Sequence, residues 1–370
     1  MNKKKIILAV IASIVVIIGA YFGYTNLNKK VITNYANFDT DKANGCKIDN
    51  DIISIDKGGT YDVSGSTTNG YIIVNTSDDV ELVLDNVNIN SKDNAPIRVE
   101  KANSIKITIK DNSTNTLTGG DNKDYGAVIA SNSPIIIEGN GTLNINSSKE
   151  GIEVKNNDIT INSGTIIIKS ADDGINAGGD GGLITINNGT IYVDAQGDGI
   201  DSNKDLIINN GALFIMGSAK ADNGSIDTDG KYQINGGTVV GLSNAMLQSP
   251  DADSNQKTIL FYLDNAIDAN TLITLSDDTN NVSFIADRSF KTLTISSPKI
   301  VDGTYHLYTG GTNTGKLNYG IYSDGSYTKG NIVTISNMTD FNINSITNWF
   351  GNTDDMRGQP NNIGGLIPQY

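Results

Sequence analysis

Acidic residues recur at two positions of a segment that repeats itself between residues 134 and 241. One set directly precedes the glycine of a Glu-Gly-Ile or Asp-Gly-Ile motif, and the other directly follows the isoleucine. If successive repeats stack as strands, equivalent side chains lie about 4.8 Å apart. Carboxylates at that separation repel by roughly 1 kcal/mol in water, so a cation between them would be stabilising. The candidate metal ligands are Glu150, Glu153, Asp172, Asp173, Asp198, Asp201 and Asp227.

Calcium is the cofactor that this set of oxygen ligands predicts. It accepts about six to eight oxygen ligands in a flexible geometry, whereas magnesium requires a stricter octahedron. A cluster of His and Cys ligands is excluded, because the sequence contains a single cysteine and a single histidine. The alternative is that these acids are solvated turn residues, favoured by Asp-Gly turn chemistry and splayed outward.

An apolar column is expected on the outside of the same repeats. Tyr192 and Phe214 each stand between two inward-facing residues of a strand, so their rings point away from the core. An outward apolar column is usually covered or used for binding. We interpret Tyr192 and Phe214 as carbohydrate-binding residues on which sugar rings stack. The alternative is that a loop or the C-terminal region covers them.

No catalytic residue is assigned. A lyase acting on uronates needs a base that removes a proton, and a glycosidase needs a carboxylate pair at a defined separation. Of the three arginines, only Arg98 falls in the expected repeats, where it is expected to pair with Glu153. Pairs of acidic residues are so frequent in these repeats that finding one pair does not distinguish a glycosidase from a protein without catalytic activity. A calcium-dependent polyuronate lyase therefore stays an alternative.

The element that positions these residues is a repeat of about 24 residues. Gly-Thr pairs at residues 141, 164, 189 and 237, with Gly211-Ala212 in the gap, are separated by 23, 25, 22 and 26 residues. Short alternating apolar runs between turn residues predict three short strands per coil, and thus an all-β, right-handed parallel β-helix with a β-rich C-terminal cap. A column of stacked amides is expected at Asn162, Asn187, Asn209 and Asn235.

Five segments are predicted along the chain. Residues 1–30 are an N-terminal anchor or signal segment, and 31–56 are a linker and N-terminal cap. Residues 57–248 form the β-helix and 249–345 the β-rich cap, which closes the exposed edge of the last coil. Residues 346–370 are rich in Gly, Asn and Pro and are predicted to be disordered.

The N-terminus predicts that the body lies outside the cytoplasm. Three lysines at positions 3–5 precede an uncharged, mostly apolar run over residues 6–24, which is about long enough to span a bilayer. The leading lysines favour an N-terminus on the inside. The run is either an uncleaved membrane anchor or a cleaved signal peptide. Both interpretations place the protein at the cell surface or in the extracellular space.

The charge of the chain excludes nucleic acid as a partner. Beyond residue 30 there are 22 basic and 41 acidic residues, a balance of −19, whereas nucleic-acid binding depends on Lys and Arg that neutralise phosphates. The same charge repels acidic glycans. Bound calcium is therefore expected to matter for binding a polygalacturonate-like chain, while a cellulose-like chain needs no ion.

These motifs resemble those of bacterial cell-surface carbohydrate-binding proteins that are right-handed parallel β-helices, similar in shape to pectate lyases. The resemblance extends over about residues 71–330 and rests on Asn115-Thr116-Leu117-Thr118, Asn140-Gly141-Thr142-Leu143, Ala171-Asp172-Asp173-Gly174-Ile175, Gly197-Asp198-Gly199-Ile200-Asp201, Ile295-Ser296-Ser297-Pro298 and Tyr305-His306-Leu307-Tyr308-Thr309-Gly310-Gly311. It implies polysaccharide binding, calcium among the repeat acids, and no demonstrated lyase activity. One departure is Asn223-Gly224-Ser225 where Asp-Gly-Ile is expected, which puts an ion between the third and fourth coils in doubt.

The combined prediction is a surface-anchored, calcium-stabilised polysaccharide-binding protein. The runner-up functions are the polyuronate lyase and a structural or adhesive stalk whose partner is a protein.

Overall fold

The computed structural model describes residues 29–33, 45–49, 51–121, 124–218 and 223–351. The apolar run 6–24 lies outside these residues. The described residues form strands and turns and contain no helix. Accordingly, none of the described segments is an apolar helix of membrane-spanning length.

Twenty-four strands precede residue 244. They are β1 Lys29–Thr33, β2 Cys46–Asp49, β3 Ile52–Ile55, β4 Gly59–Thr67, β5 Tyr71–Asn75, β6 Asp79–Asn90, β7 Ile97–Lys101, β8 Ser104–Ile109, β9 Thr114–Gly119, β10 Ala127–Ser131, β11 Ile135–Gly139, β12 Thr142–Ser147, β13 Glu150–Lys155, β14 Ile159–Ile161, β15 Thr165–Ser170, β16 Ile175–Gly178, β17 Ile184–Ile186, β18 Thr190–Ala195, β19 Ile200–Ser202, β20 Leu206–Ile208, β21 Ala212–Met216, β22 Ile226–Thr228, β23 Tyr232–Ile234 and β24 Thr238–Ser243.

Apart from β2, which pairs antiparallel with β3, these strands stack in parallel into a solenoid of about seven turns. Sheet one contains β3, β5, β7, β10, β13, β16, β19 and β22. Sheet two contains β8, β11, β14, β17, β20 and β23, and sheet three contains β9, β12, β15, β18, β21 and β24. Sheets two and three diverge at the longer strand β6, which pairs with both β8 and β9. On its other side β6 pairs in parallel with β4, which pairs in parallel with β1. The prediction of an all-β parallel solenoid with three short strands per coil is confirmed.

Stacked aliphatic residues fill the interior. Ile152 pairs with Ile175, which pairs with Ile200 and then Ile226, so a single file of isoleucines runs along the inner face of sheet one. Sheets two and three add equivalent files that are fully buried. Burying an isoleucine side chain contributes about 1.5–3 kcal/mol. Because every coil adds several buried aliphatic side chains, the core can stabilise a narrow body whose cross-section is a single coil.

The column of stacked amides is confirmed. The Asn187 amide donates to the Asn162 side-chain oxygen over 2.9 Å, and Asn209 donates to Asn187 over 2.8 Å. Asn235 continues the column with a 3.1 Å bond to Asn209, and Asn255 extends it beyond the repeats with a 3.0 Å bond to Asn235. These bonds run along the solenoid axis and hold the turns between sheets two and three in register.

Twelve further strands follow the last coil. They are β25 Thr258–Ile267, β26 Leu272–Ser276, β27 Asn281–Ile285, β28 Phe290–Ser296, β29 Gly303–Thr309, β30 Thr312–Asn313, β31 Leu317–Asn318, β32 Ile321–Tyr322, β33 Tyr327–Thr328, β34 Asn331–Ile332, β35 Phe341–Ile343 and β36 Thr347–Phe350.

This C-terminal part both ends the solenoid and folds back over it. Strand β28 pairs antiparallel with β24 and with β25, so sheet three continues beyond the last coil. Strands β26, β27 and β29 form a separate antiparallel sheet. The apolar residues of this sheet share a core with the outer face of sheet three, and that core includes Phe214 and Phe284.

Two segment boundaries differ from those expected. Strand β3 already pairs in parallel with β5, so the parallel stacking of sheet one begins at Ile52, before residue 57. Strand β36 pairs with β25 and lies within the segment 346–370 that was predicted to be disordered. Residues 352–370 lie outside the described part of the chain.

Candidate functional site

The acidic residues stack on sheet one in the expected register. Glu153 pairs with Asn176, then Asp201, then Asp227 along four successive coils. The other set stands at the entry to the same strands, where the Gly151 amide donates to the Asp173 carbonyl and the Gly174 amide to the Asp198 carbonyl. We call this set the acid file, and its members are Glu150, Glu153, Asp172, Asp173, Asn176, Asp198, Asp201 and Asp227.

Two members of the acid file are nearly buried. Asp173 and Asp198 expose only 9% and 8% of their surface. The Asp198 backbone amide donates to Oδ1 of Asp173 over 2.7 Å, and the Gly224 amide donates to Oδ1 of Asp198 over 2.5 Å. Each carboxylate therefore ties its own coil to the next one. The departure at Asn223-Gly224-Ser225 still supplies the backbone donor for Asp198.

Burial and mutual repulsion favour the neutral forms of several of these acids. Burial, assisted by the charges of Glu153 and Asp173, raises the pKa of Glu150 to about 8. Burial likewise raises the pKa of Asp198 to about 8 and that of Asp201 to about 7, with Asp173 contributing to both. A cation or a set of protons is needed to neutralise this face at neutral pH.

Two oxygen atoms of this region are buried without a hydrogen-bond partner among the described residues. They are Oε2 of Glu150 and Oδ1 of Asn176. Buried oxygens without partners suit the oxygen-only coordination of calcium. Within the described residues, however, no group of three or more His, Cys, Asp or Glu side chains is arranged to hold a metal ion. An ion here therefore needs amide or carbonyl oxygens beside the carboxylates.

The prediction that Tyr192 and Phe214 form a sugar-stacking platform is not supported, because the C-terminal sheet covers both rings. They do lie in one outward column in the expected register and stack with centroids 5.8 Å apart. They expose only 8% and 1% of their surface, and Gly320 lies on the Phe214 ring, where a Cβ atom would come within 2.6 Å. The covering of this column was the alternative that the sequence left open.

The expected pairing of Arg98 with Glu153 is wrong. Ala130 separates the two in the register, and Arg98 instead forms an ion pair with Glu100 while its guanidinium lies 4.0 Å from the Tyr125 ring centroid. Glu153 pairs with Lys155 over 3.2 Å.

A polar groove that sequence reasoning missed lies where the strands of sheet three turn into sheet one. It has a volume of 660 Å³ and spans several coils. Thr118, Asn146, Lys169 and Asp194 occupy equivalent positions of four successive strands along it, and we call them the groove row. The signal was present in the sequence, because the groove row lies two residues beyond the outward column. Its residues were overlooked because they are polar and varied.

The fold and these surfaces define a class: an acidic parallel β-solenoid that carries a file of stacked carboxylates on one sheet and a polar groove beside it. Residues 49–313 match the family described as carbohydrate-binding domain-containing protein. The chain belongs to that family.

Two known proteins are similar to parts of the chain. A carbohydrate-binding domain-containing protein of Acetivibrio thermocellus is 32% identical over 156 residues, which cover 39% of this chain. The matched region spans about half of that relative, 54% of its length. The structure of the polysaccharide lyase-like protein from C. thermocellum, a gadolinium derivative, is 28% identical, with a TM-score of 0.45 over 57% of this chain and 92% of that chain.

Proposed function

We propose that this protein binds polysaccharide outside the cytoplasm, tethered to the membrane by residues 6–24, with calcium bound between its coils. Membership of the carbohydrate-binding family supports the class of ligand. The lysines at positions 3–5 and the apolar run 6–24 support the location. The protein retains the chain without cutting it, and its ligands are cellulose-like or polygalacturonate-like.

The buried carboxylates of the acid file are the observation that carries the calcium proposal. Asp173 and Asp198 of adjacent coils would hold the ion together with Oδ1 of Asn176 and with backbone carbonyl oxygens. The charge of the ion would also stabilise the ionised forms of Glu150 and Asp201 nearby. When bound, calcium supplies two positive charges that neutralise the face and hold neighbouring coils together. The residues themselves orient the carboxylates through the Asp198 and Gly224 amides.

The test measures retention on insoluble polysaccharide and, in the same samples, the release of soluble cleavage products. The full chain, purified with its N-terminal segment in detergent, is mixed with cellulose or with calcium-gelled polygalacturonate, and the bound fraction is measured. The supernatant is assayed for reducing ends and for the ultraviolet absorbance of unsaturated uronates. We expect retention and no soluble product.

Other outcomes separate the alternative functions. A steady rise of unsaturated product would establish a lyase. Absence of retention on every polysaccharide, with binding to a cell-wall or host protein, would establish a stalk instead.

A further inference from the structure

The groove row is the surface where the described structure offers a glycan both a track and a specific charge. Neighbouring strands of sheet three advance by about 4.8 Å, which is close to the length that each ring adds to an extended glycan. A chain laid along the solenoid axis would therefore meet one groove-row side chain for roughly every sugar. The side chains of Asn146 and Lys169 are exposed, and so is that of Gln196 in the adjoining turn.

The C-terminal part neutralises the acid at one end of the groove row. Nε of Arg288 lies 3.2 Å from Oδ1 of Asp194, and the same guanidinium donates to the carbonyl oxygens of Ala195 and Gly217 over 3.0 and 2.8 Å. These three contacts fix Arg288 in place. The charge of Asp194 is consequently compensated from within the protein.

Lys169, the next member of the groove row, keeps an uncompensated charge. Its ammonium forms no ion pair with any described residue, and neither does that of Lys92 at the other end of the groove. Asp121 is the other acid that lines the groove. Two unpaired lysines in one groove are a local exception on a body whose net charge is −19 beyond residue 30. Such a site attracts an anionic group.

The acid file begins directly beside this groove, because Ala171 lines the groove and Asp172 follows it. With its carboxylates ionised and no calcium bound to them, the acid file would repel a polyuronate. Neutralised by calcium or by protons, it leaves the lysines as the dominant local charges. The two surfaces would then act together.

From this geometry we propose that the groove is the glycan-binding site and that Lys169 selects uronic-acid chains by pairing directly with a sugar carboxylate. Asn146, Thr118 and Gln196 contact the hydroxyl groups that acidic and neutral chains share. This inference rests on the proposed polysaccharide-binding function. It differs from binding through calcium, because the carboxylate is held by an ammonium group.

The experiment compares Lys169→Gln with Lys204→Gln in saturating calcium. Lys204 is an exposed lysine in the turn between β19 and β20, at a different corner of the coil, so it is a matched control for net charge. Affinities for soluble polygalacturonate oligomers and for cello-oligomers are measured by calorimetry. Melting temperatures confirm that the variants fold.

We expect Lys169→Gln to weaken polygalacturonate binding about tenfold, the loss of one charge-assisted contact, with cello-oligomer binding unchanged. Lys204→Gln should leave both affinities within about twofold, since exposed charges are largely screened. Asn146→Ala should weaken both ligands roughly fivefold, the value of one net hydrogen bond.

Three outcomes would overturn the inference. Equal losses in the two lysine variants would show a general charge effect. Unchanged affinity in Lys169→Gln and Asn146→Ala, with binding lost only on chelation, would assign polyuronate to calcium at the acid file. If the unmodified protein binds neither oligomer, the proposed function itself fails, and this result is distinct from the other two.

Discussion

The hydroxyl group of Tyr192 donates a hydrogen bond of 2.9 Å to Oδ2 of Asp287, a residue 95 positions further along the chain. Tyr192 lies on the outer face of sheet three, and Asp287 lies in the loop between β27 and β28. Arg288, the next residue, binds Asp194 two positions beyond Tyr192. One short loop therefore fastens the C-terminal sheet to the solenoid and at the same time sets the charge at the end of the groove.

Tyr192→Phe should lower the free energy of unfolding by about 1.5–3 kcal/mol, the value of a hydrogen bond to a charged group. Urea denaturation followed by circular dichroism measures the change. Tyr319→Phe, at an exposed ring of the C-terminal part, is the control and should have little effect. Retention on cellulose should be the same in both variants, because the Tyr192 ring is covered. Loss of cellulose binding in a Tyr192→Ala variant that still folds would restore the stacking platform.

Gly174→Ala should destabilise the solenoid by about 3 kcal/mol or more, through overpacking. A Cβ atom at this position would lie 2.5 Å from the Gly199 carbonyl oxygen and against Cγ1 of Val193. Gly181→Ala is the matched control, because its Cβ atom would meet nothing closer than the Asn156 carbonyl oxygen at 3.7 Å. Thermal unfolding monitored by calorimetry compares the two. A Gly174→Ala melting temperature equal to that of the control would contradict close stacking of these glycines.

Stacking could be read from the sequence because a solenoid repeats the same local environment. The Gly-Thr pairs align the repeats, and this alignment predicts both the stacking of Glu153, Asp201 and Asp227 and the amide column from Asn162 to Asn235. The sequence also showed that Tyr192 and Phe214 face outward. It could not show what covers them.

The covering sheet was hidden because its contacts are long-range. Strand β27 alternates apolar and polar residues like many other strands, and nothing local records that Phe284 meets Phe214 at 6.2 Å between ring centroids. The groove was missed for a different reason. Its lining residues are polar and varied, and the charge of Lys169 becomes informative only once Arg288 is seen to neutralise Asp194.

Removal of residues 1–30 should release the protein from the membrane. A chain anchored by residues 6–24 stays with the membrane fraction in high salt, because hydrophobic insertion is insensitive to ionic strength. The full-length protein should therefore pellet after a high-salt wash, and protease added to intact cells should digest its body. A variant that begins at residue 31 behind a cleavable signal should appear in the medium. The contrary outcome is that cells expressing the full-length chain release a shortened protein into the medium. An N-terminus between Ala20 and Thr25 in that protein would show that the segment is a signal peptide.

In chelator, the melting temperature should fall as pH rises from about 5 to about 8.5. Glu150 and Asp198 have pKa values of about 8 and Asp201 one of about 7 in the folded protein, whereas unfolded carboxyl groups titrate near pH 4. Over this range the folded state binds more protons than the unfolded state, so stability decreases as pH increases. Asp198→Asn with Asp201→Asn should flatten the slope. A melting temperature that rises with pH in chelator would contradict the burial of these acids.

Calcium should reverse this loss at pH 8. A ligand that binds the folded state at 100 times its dissociation constant adds about 2.7 kcal/mol to stability, which corresponds to a rise in melting temperature on the order of 5 °C. The comparison is made between millimolar calcium and chelator by differential scanning calorimetry. Asp173→Asn with Asp198→Asn should remove most of the increment, because both carboxylates lie at the entry to adjacent strands of sheet one. Asp180→Asn changes an exposed acid in the turn after β16 and should keep the full increment. Identical melting temperatures in calcium and in chelator would remove calcium from the account and leave protons as the groups that neutralise the acid file.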